Sequence, residues 1–227
     1  MAAMPDSSEV LRARVLAAAS ATRSPTRRQG RVLASVFLAA SVAIAATIFE
    51  AIGGLGHGAG RPTTITVVLA AGWSLVSALL TWLIVARGGS VMVRRPLLVA
   101  ALALAMPFVL FFWMHLFYGT YAEPFQAIGY RCLGYTLFIS ALPLGAFLLL
   151  RRAIEPRYPS ALGAGAGAAC ASWAGALVDL WCPLTNPMHV LIGHVAPLVL
   201  ATLVGAVLGH FMLGVRRSRS PLPPGRG

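Results

Sequence analysis

Apolar residues in this chain run in long, nearly unbroken blocks, with polar positions gathered between the blocks. Six such blocks stand out, at roughly 32–51, 64–86, 96–117, 132–150, 161–181 and 188–215. At 1.5 Å of rise per residue, a helical block of about twenty residues covers the ~30 Å hydrocarbon core of a bilayer. In hydrocarbon the backbone must satisfy its own hydrogen bonds, and a helix does so within one segment. The pattern therefore predicts an all-α, polytopic membrane protein of six transmembrane helices. It divides the chain into a polar segment at 1–31 carrying a short amphipathic helix, a membrane domain at 32–215 and a basic tail at 216–227.

Composition agrees. Hydrophobic residues make up 58% of the chain and charged residues only 11%, and mean hydropathy is +0.80. The polar segments are too short for a soluble catalytic domain, so no enzymatic activity and no cofactor is expected. All eighteen basic residues are arginine, against six acids. Charge alone would suggest a nucleic-acid partner, but these arginines flank apolar spans, so no direct nucleic-acid contact is expected. Only Arg61 and Arg131 belong to the second, alternate set of connections, and the other sixteen share one side. The positive-inside rule then places both termini in the cytoplasm.

Asp6, followed three residues later by Glu9, makes a capping-box-like start to a run of good helix formers. Leu11, Val15 and Ala18 would share one face of that helix, opposite Arg12. The segment at 24–31 is expected to break the helix and bring Arg27, Arg28 and Arg31 to the membrane entry, as a topological anchor. A twin-arginine signal is the alternative, but the apolar run continues to Ala51 and is long enough to span.

Polar chemistry concentrates between the last two blocks, where Asp179, Cys182, His189 and His194 lie within sixteen residues. Pro183 and Pro187 mark the turn there. On the six-span topology this turn faces outward. Cys132 opens the fourth block and Cys182 closes the fifth, so two thiols fifty positions apart should emerge at one membrane depth. Cys170, about 18 Å up the fifth helix, is expected to be a small core residue. The outer pair suits a disulfide in an oxidising compartment, and two separate core thiols are the plain alternative. With His115, Asp179, His189 and His194 nearby, the pair also offers the donors that soft or borderline metals prefer. The spacing argues against a metal site, since no CxxC or HxxxH occurs and positions 189 and 194 lie about 140° apart round an α-helix. Each histidine alone is expected to order the turn, and Asp179 to cap a helix or pair with Arg131. His57 falls in a glycine-rich loop, and His210 is expected to hydrogen-bond a neighbouring helix.

Small residues recur every four positions at Gly163, Gly167, Ala171 and Gly175, and again at Gly205 and Gly209, which lets the last two helices approach closely. Pro107, Pro143 and Pro197 fall inside spans, where kinks are expected.

Cys132-Leu133 opening a span that ends in Arg151-Arg152, the Gly/Ala-rich fifth helix, Leu180-Trp-Cys-Pro183 and Gly193-His-Val-Ala-Pro197 together resemble the NrsF family of six-span bacterial anti-sigma factors. The likeness covers about 85–215. It implies a protein that holds an extracytoplasmic-function sigma factor at the membrane and releases it on stress, with Cys132 and Cys182 in the sensing role. The partner's site would fall on the N-terminal helix, with Leu11, Val15 and Leu16 as apolar anchors and Arg12 and Arg14 as charge. The alternative for that helix is a lipid surface. Two other classes stay open: a transporter or channel, which would want ionisable groups near the bilayer centre, and a membrane thiol oxidoreductase, which would want a reactive pair and a relay partner.

Overall fold

A computed structural model describes residues 8–9, 12–13, 27–51, 63–117, 129–152, 156–182, 184 and 186–214. All regular structure among them is helical. The elements are α1 (Arg27–Ala51), α2 (Thr63–Arg87), α3 (Gly89–Arg94), α4 (Pro96–Phe117), α5 (Tyr130–Arg151) and α6 (Pro159–Trp181), then α7 (Pro187–Val190), a π turn (Leu191–Val195) and α8 (Ala196–Leu213). The chain divides into two units, Met1–Leu33 and Ala34–Gly227. In the first, Ser8, Glu9, Arg12 and Ala13 are helical and exposed. Leu11, Arg14, Val15 and Leu16 lie outside the described residues, as do His57 and the tail from 215 onward.

Among the described residues, five helices are long and apolar enough to cross a membrane, and α4, with Pro107 inside it, is a further apolar helix of 22 residues. Two boundaries differ from the sequence reading. α1 starts at Arg27, so Arg28 and Arg31 are helical and do not sit in a break. Arginine and glutamine are good helix formers, and Pro25 lies outside the first turn. The connection after α2 contains the short helix α3, entered through Gly88, whose φ of 63° suits a residue without Cβ.

α6 is the axis of the second unit. Every residue from Leu162 to Ser172 is buried, and α6 packs against α2, α3, α4, α5 and α8. Only Gly, Ala, Ser and Cys follow Leu162 in that run, so neighbouring helices close on it from all sides. The tightest approach is to α8: a Cβ on Gly163 would be driven into the carbonyl oxygen of Gly205, and one on Gly167 into that of Ala201. Close backbone approach of this kind replaces the hydrophobic drive that helices lack in lipid. Elsewhere, the Trp173 indole N–H donates to Thr81 Oγ1 at 2.9 Å, and Arg151 donates to the carbonyl of Val85 at 3.4 Å. His210 does not point into a neighbouring helix as expected; it is exposed and meets Phe211 edge-on.

Candidate functional site

The ends of α5, α6 and α7 and the π turn converge on one buried cluster. Cys132 stands in the first turn of α5, behind Gly129, whose φ of 92° starts the helix. Cys182 is the residue at which α6 stops, turning to extended backbone at φ −80°, ψ 114°. Beyond it Asn186 caps α7, accepting the Met188 N–H on its side-chain oxygen at 2.9 Å, with Pro187 in the first turn. An Asn-Pro pair is a strong local start signal, because the amide oxygen takes an orphan donor and the proline has none to lose. His189 follows at once.

The π turn then delivers His194. Ala196 donates its N–H to the carbonyl of Leu191, five residues back, in place of the four of an α-helix. Pro197 supplies a physical reason: it has no N–H to offer the carbonyl of Gly193 and its ring crowds that carbonyl, so a wider turn relieves the strain. Gly193 lets this turn pass close to α5, since a Cβ there would sit 3.0 Å from that of Cys132.

The sulfurs of Cys132 and Cys182 and a ring nitrogen of each of His189 and His194 all lie within 4.8 Å of one another. Cys182 Sγ is 3.2 Å and Cys132 Sγ 3.4 Å from the same atom, His189 Nε2, and the two imidazole centroids are 5.8 Å apart. All four side chains are buried, at 2% exposure or less, and all three cysteines are thiols. The Cys132 side chain first, and then His189 and His194, hold the Cys182 thiol well below its ordinary pKa against the opposing effect of burial. Neither ring nitrogen of His194 has a hydrogen-bond partner among the described residues. Its ring lies 6.3 Å from that of Trp73, which is seated on Gly175 of α6.

The two histidines, each expected from the sequence to order the turn, lie side by side next to the two sulfurs. The i→i+5 register widens the turn and lowers the rotation per residue, so His194 comes nearer to the face of His189 than the 140° of an α-helix would put it, with the ring centroids 5.8 Å apart. Asp179 is buried three residues before Cys182. Arg131 lies over the Trp181 ring at 5.8 Å, within an edge-packed aromatic group of Phe49, Tyr135 and Trp181. The backbone of His115 belongs to α4, but its side chain is outside the described residues. Cys170 is buried in the core of α6, away from the four. Chemically, the cluster can hold a soft or borderline cation on two sulfurs and two nitrogens, or its thiols can be oxidised to a disulfide.

This is an all-helical protein built of apolar, membrane-length helices with a buried thiol–imidazole cluster at one end of the bundle. The chain belongs to the NrsF family, negative regulator of sigma F, whose family model matches residues 16–214. The match extends well upstream of the stretch on which the resemblance was read. No curated protein and no solved structure matches the chain.

Proposed function

We propose that this protein is a membrane-embedded anti-sigma factor that holds an extracytoplasmic-function sigma factor against the cytoplasmic face of the inner membrane. It releases that partner when a stress acts on Cys132 and Cys182. The observation that carries the reading is that the two thiols, fifty positions apart, meet in a chain whose family regulates a sigma factor negatively. They gather where α5 begins and α6 ends. Arg87, Arg94, Arg95, Arg151, Arg152 and Arg157 all sit at the opposite helix ends or in the connections there. Under the positive-inside rule the arginine end is cytoplasmic, along with both termini, and the thiol end faces out.

The partner is held by the segment at 1–31, with Leu11, Val15 and Leu16 inserting into an apolar groove and Arg12 and Arg14 facing acidic patches. Purification from native membranes tests the assignment: a sigma factor should be recovered in stoichiometric amount, and its absence under unstressed conditions would remove the anti-sigma reading. The double variant Leu11→Asp with Val15→Asp should free the partner and switch on its regulon while the membrane domain stays at normal abundance. Full repression by that variant would move the binding element to the loops around Arg94 and Arg157.

A further inference from the structure

We propose that Cys132, Cys182, His189 and His194 together bind one divalent, thiophilic metal ion of the zinc–cadmium class, with His194 supplied as the fourth ligand by the π turn. The inference deepens the sensing role given above and rests on it for its biological meaning, although the binding itself is a property of the isolated protein.

Geometry is the first support. With metal–sulfur bonds of about 2.3 Å and metal–nitrogen bonds of about 2.0–2.1 Å, a tetrahedral site has ligand–ligand edges of roughly 3.5 Å. Two edges of this cluster already measure 3.2 and 3.4 Å, from Cys182 and Cys132 to His189 Nε2. All donor atoms fall within 4.8 Å, so side-chain adjustments of less than about 1 Å close the tetrahedron. The ligands come from the start of α5, the end of α6, α7 and the π turn, and therefore fix one another, as a structural metal site requires.

Hydrogen bonding is the second. A neutral imidazole nitrogen has one lone pair or one proton, yet His189 Nε2 faces two sulfurs. His194 is fully buried and neither of its nitrogens has a hydrogen-bond partner among the described residues, an arrangement native interiors rarely keep without a ligand to take up the nitrogen. A Cys132–Cys182 disulfide would use both sulfurs and leave His194 as it is. A metal ion engages all four groups.

Charge narrows the class. Two sulfurs and two imidazole nitrogens suit soft and borderline ions and are poor ligands for magnesium or calcium. A divalent ion held by two thiolates leaves no net charge in this dry, apolar site, and any thiol proton still present leaves to solvent as the ion binds. A monovalent ion bound by both thiolates would leave one negative charge buried beside Phe49 and Trp73.

The test uses the full-length protein in detergent, reduced and stripped with a chelator. Cobalt(II) serves as the optical probe, followed by displacement with zinc or cadmium. The expected result is one ion per chain, with sulfur-to-cobalt charge-transfer absorption and the intense visible bands of a tetrahedral ion, both lost on displacement. Groups that merely support a ligand are worth about 10–100-fold in affinity, so His194→Gln should weaken zinc binding by at least about 100-fold. Cys170→Ser should bind like the wild type, which controls for the loss of a thiol as such. Absence of stoichiometric binding by the wild-type chain would overturn the proposal, as would unchanged affinity in His194→Gln. Binding of copper(I) alone would overturn the charge argument and with it the assigned class. If the ion binds but sigma-factor release ignores it, the site stands and the sensing role falls. If release needs Cys132 and Cys182 and no ion binds, the sensing role stands and the metal site falls.

Discussion

Gly129 links the start of α5 to the turn that carries the histidines, and Gly129→Ala should be among the most damaging single-methyl changes in the protein. Two independent effects add. The residue holds φ at 92°, in the left-handed region, which costs a residue with a Cβ about 1–2 kcal/mol. A Cβ there would also stand 2.7 Å from the His189 carbonyl oxygen and 2.9 Å from the Gly193 nitrogen. Ordinary contact begins near 3.4 Å, so the backbone at 189–193 must retreat by roughly half an ångström or more, and overpacking of that kind costs about 1–3 kcal/mol. The total is about 2–5 kcal/mol. Gly134, one turn further along the same helix, is the matched control: a Cβ there meets nothing within 4 Å, so Gly134→Ala should be neutral or stabilising by up to about 1 kcal/mol. Thermal unfolding of the two variants in one detergent, followed by tryptophan fluorescence, should separate them by about 5 °C or more. Gly129→Ala should also bind cobalt less well, since a site tolerates only about 0.5 Å of ligand displacement. Equal melting of the two variants would refute the reasoning.

Pro197→Ala restores an N–H that can reach the Gly193 carbonyl, so the π turn should close towards an α-helix, swing His194 off the cluster and lower cobalt affinity although no ligand has been changed; unchanged affinity would show that the proline does not hold the turn open. Gly163→Ala forces α6 and α8 apart at their closest approach and should lower the melting temperature, whereas a variant as stable as the wild type would mean that the helices pack differently. Thr81→Val removes the acceptor of the Trp173 indole N–H and should cost about 0.6–1.7 kcal/mol in a detergent unfolding assay, and no measurable loss would mark that bond as dispensable. For topology, Tyr130→Cys should react with an impermeant maleimide on whole spheroplasts and Arg152→Cys only after permeabilisation; the reverse pattern would invert the orientation.

The helical class, the number of apolar segments and the bounds of most of them were legible in the sequence, because hydrocarbon-length runs have few other physical outcomes. The glycine spacing at 163, 167, 205 and 209 foretold the close pairing of α6 with α8 for the same reason: without Cβ atoms nothing keeps those backbones apart. The start of α1 was misread, since its arginines look like a polar break although each is a good helix former. Cys132 and Cys182 could be placed at one membrane depth by counting residues, but depth alone does not bring two sulfurs to one imidazole. That took the packing of α5 against α6 and the glycine contacts at 129 and 193. His194 was the residue least visible from sequence. Its spacing from His189 puts it on another face of any α-helix, and the signal that could have corrected this, Pro197 three residues on, has its effect through a backbone hydrogen bond that cannot form. The residue types and their order along the chain were thus set by the sequence; which of them share a site was decided by a π turn, whose i→i+5 register exists only where proline, glycine and the neighbouring helix all permit it.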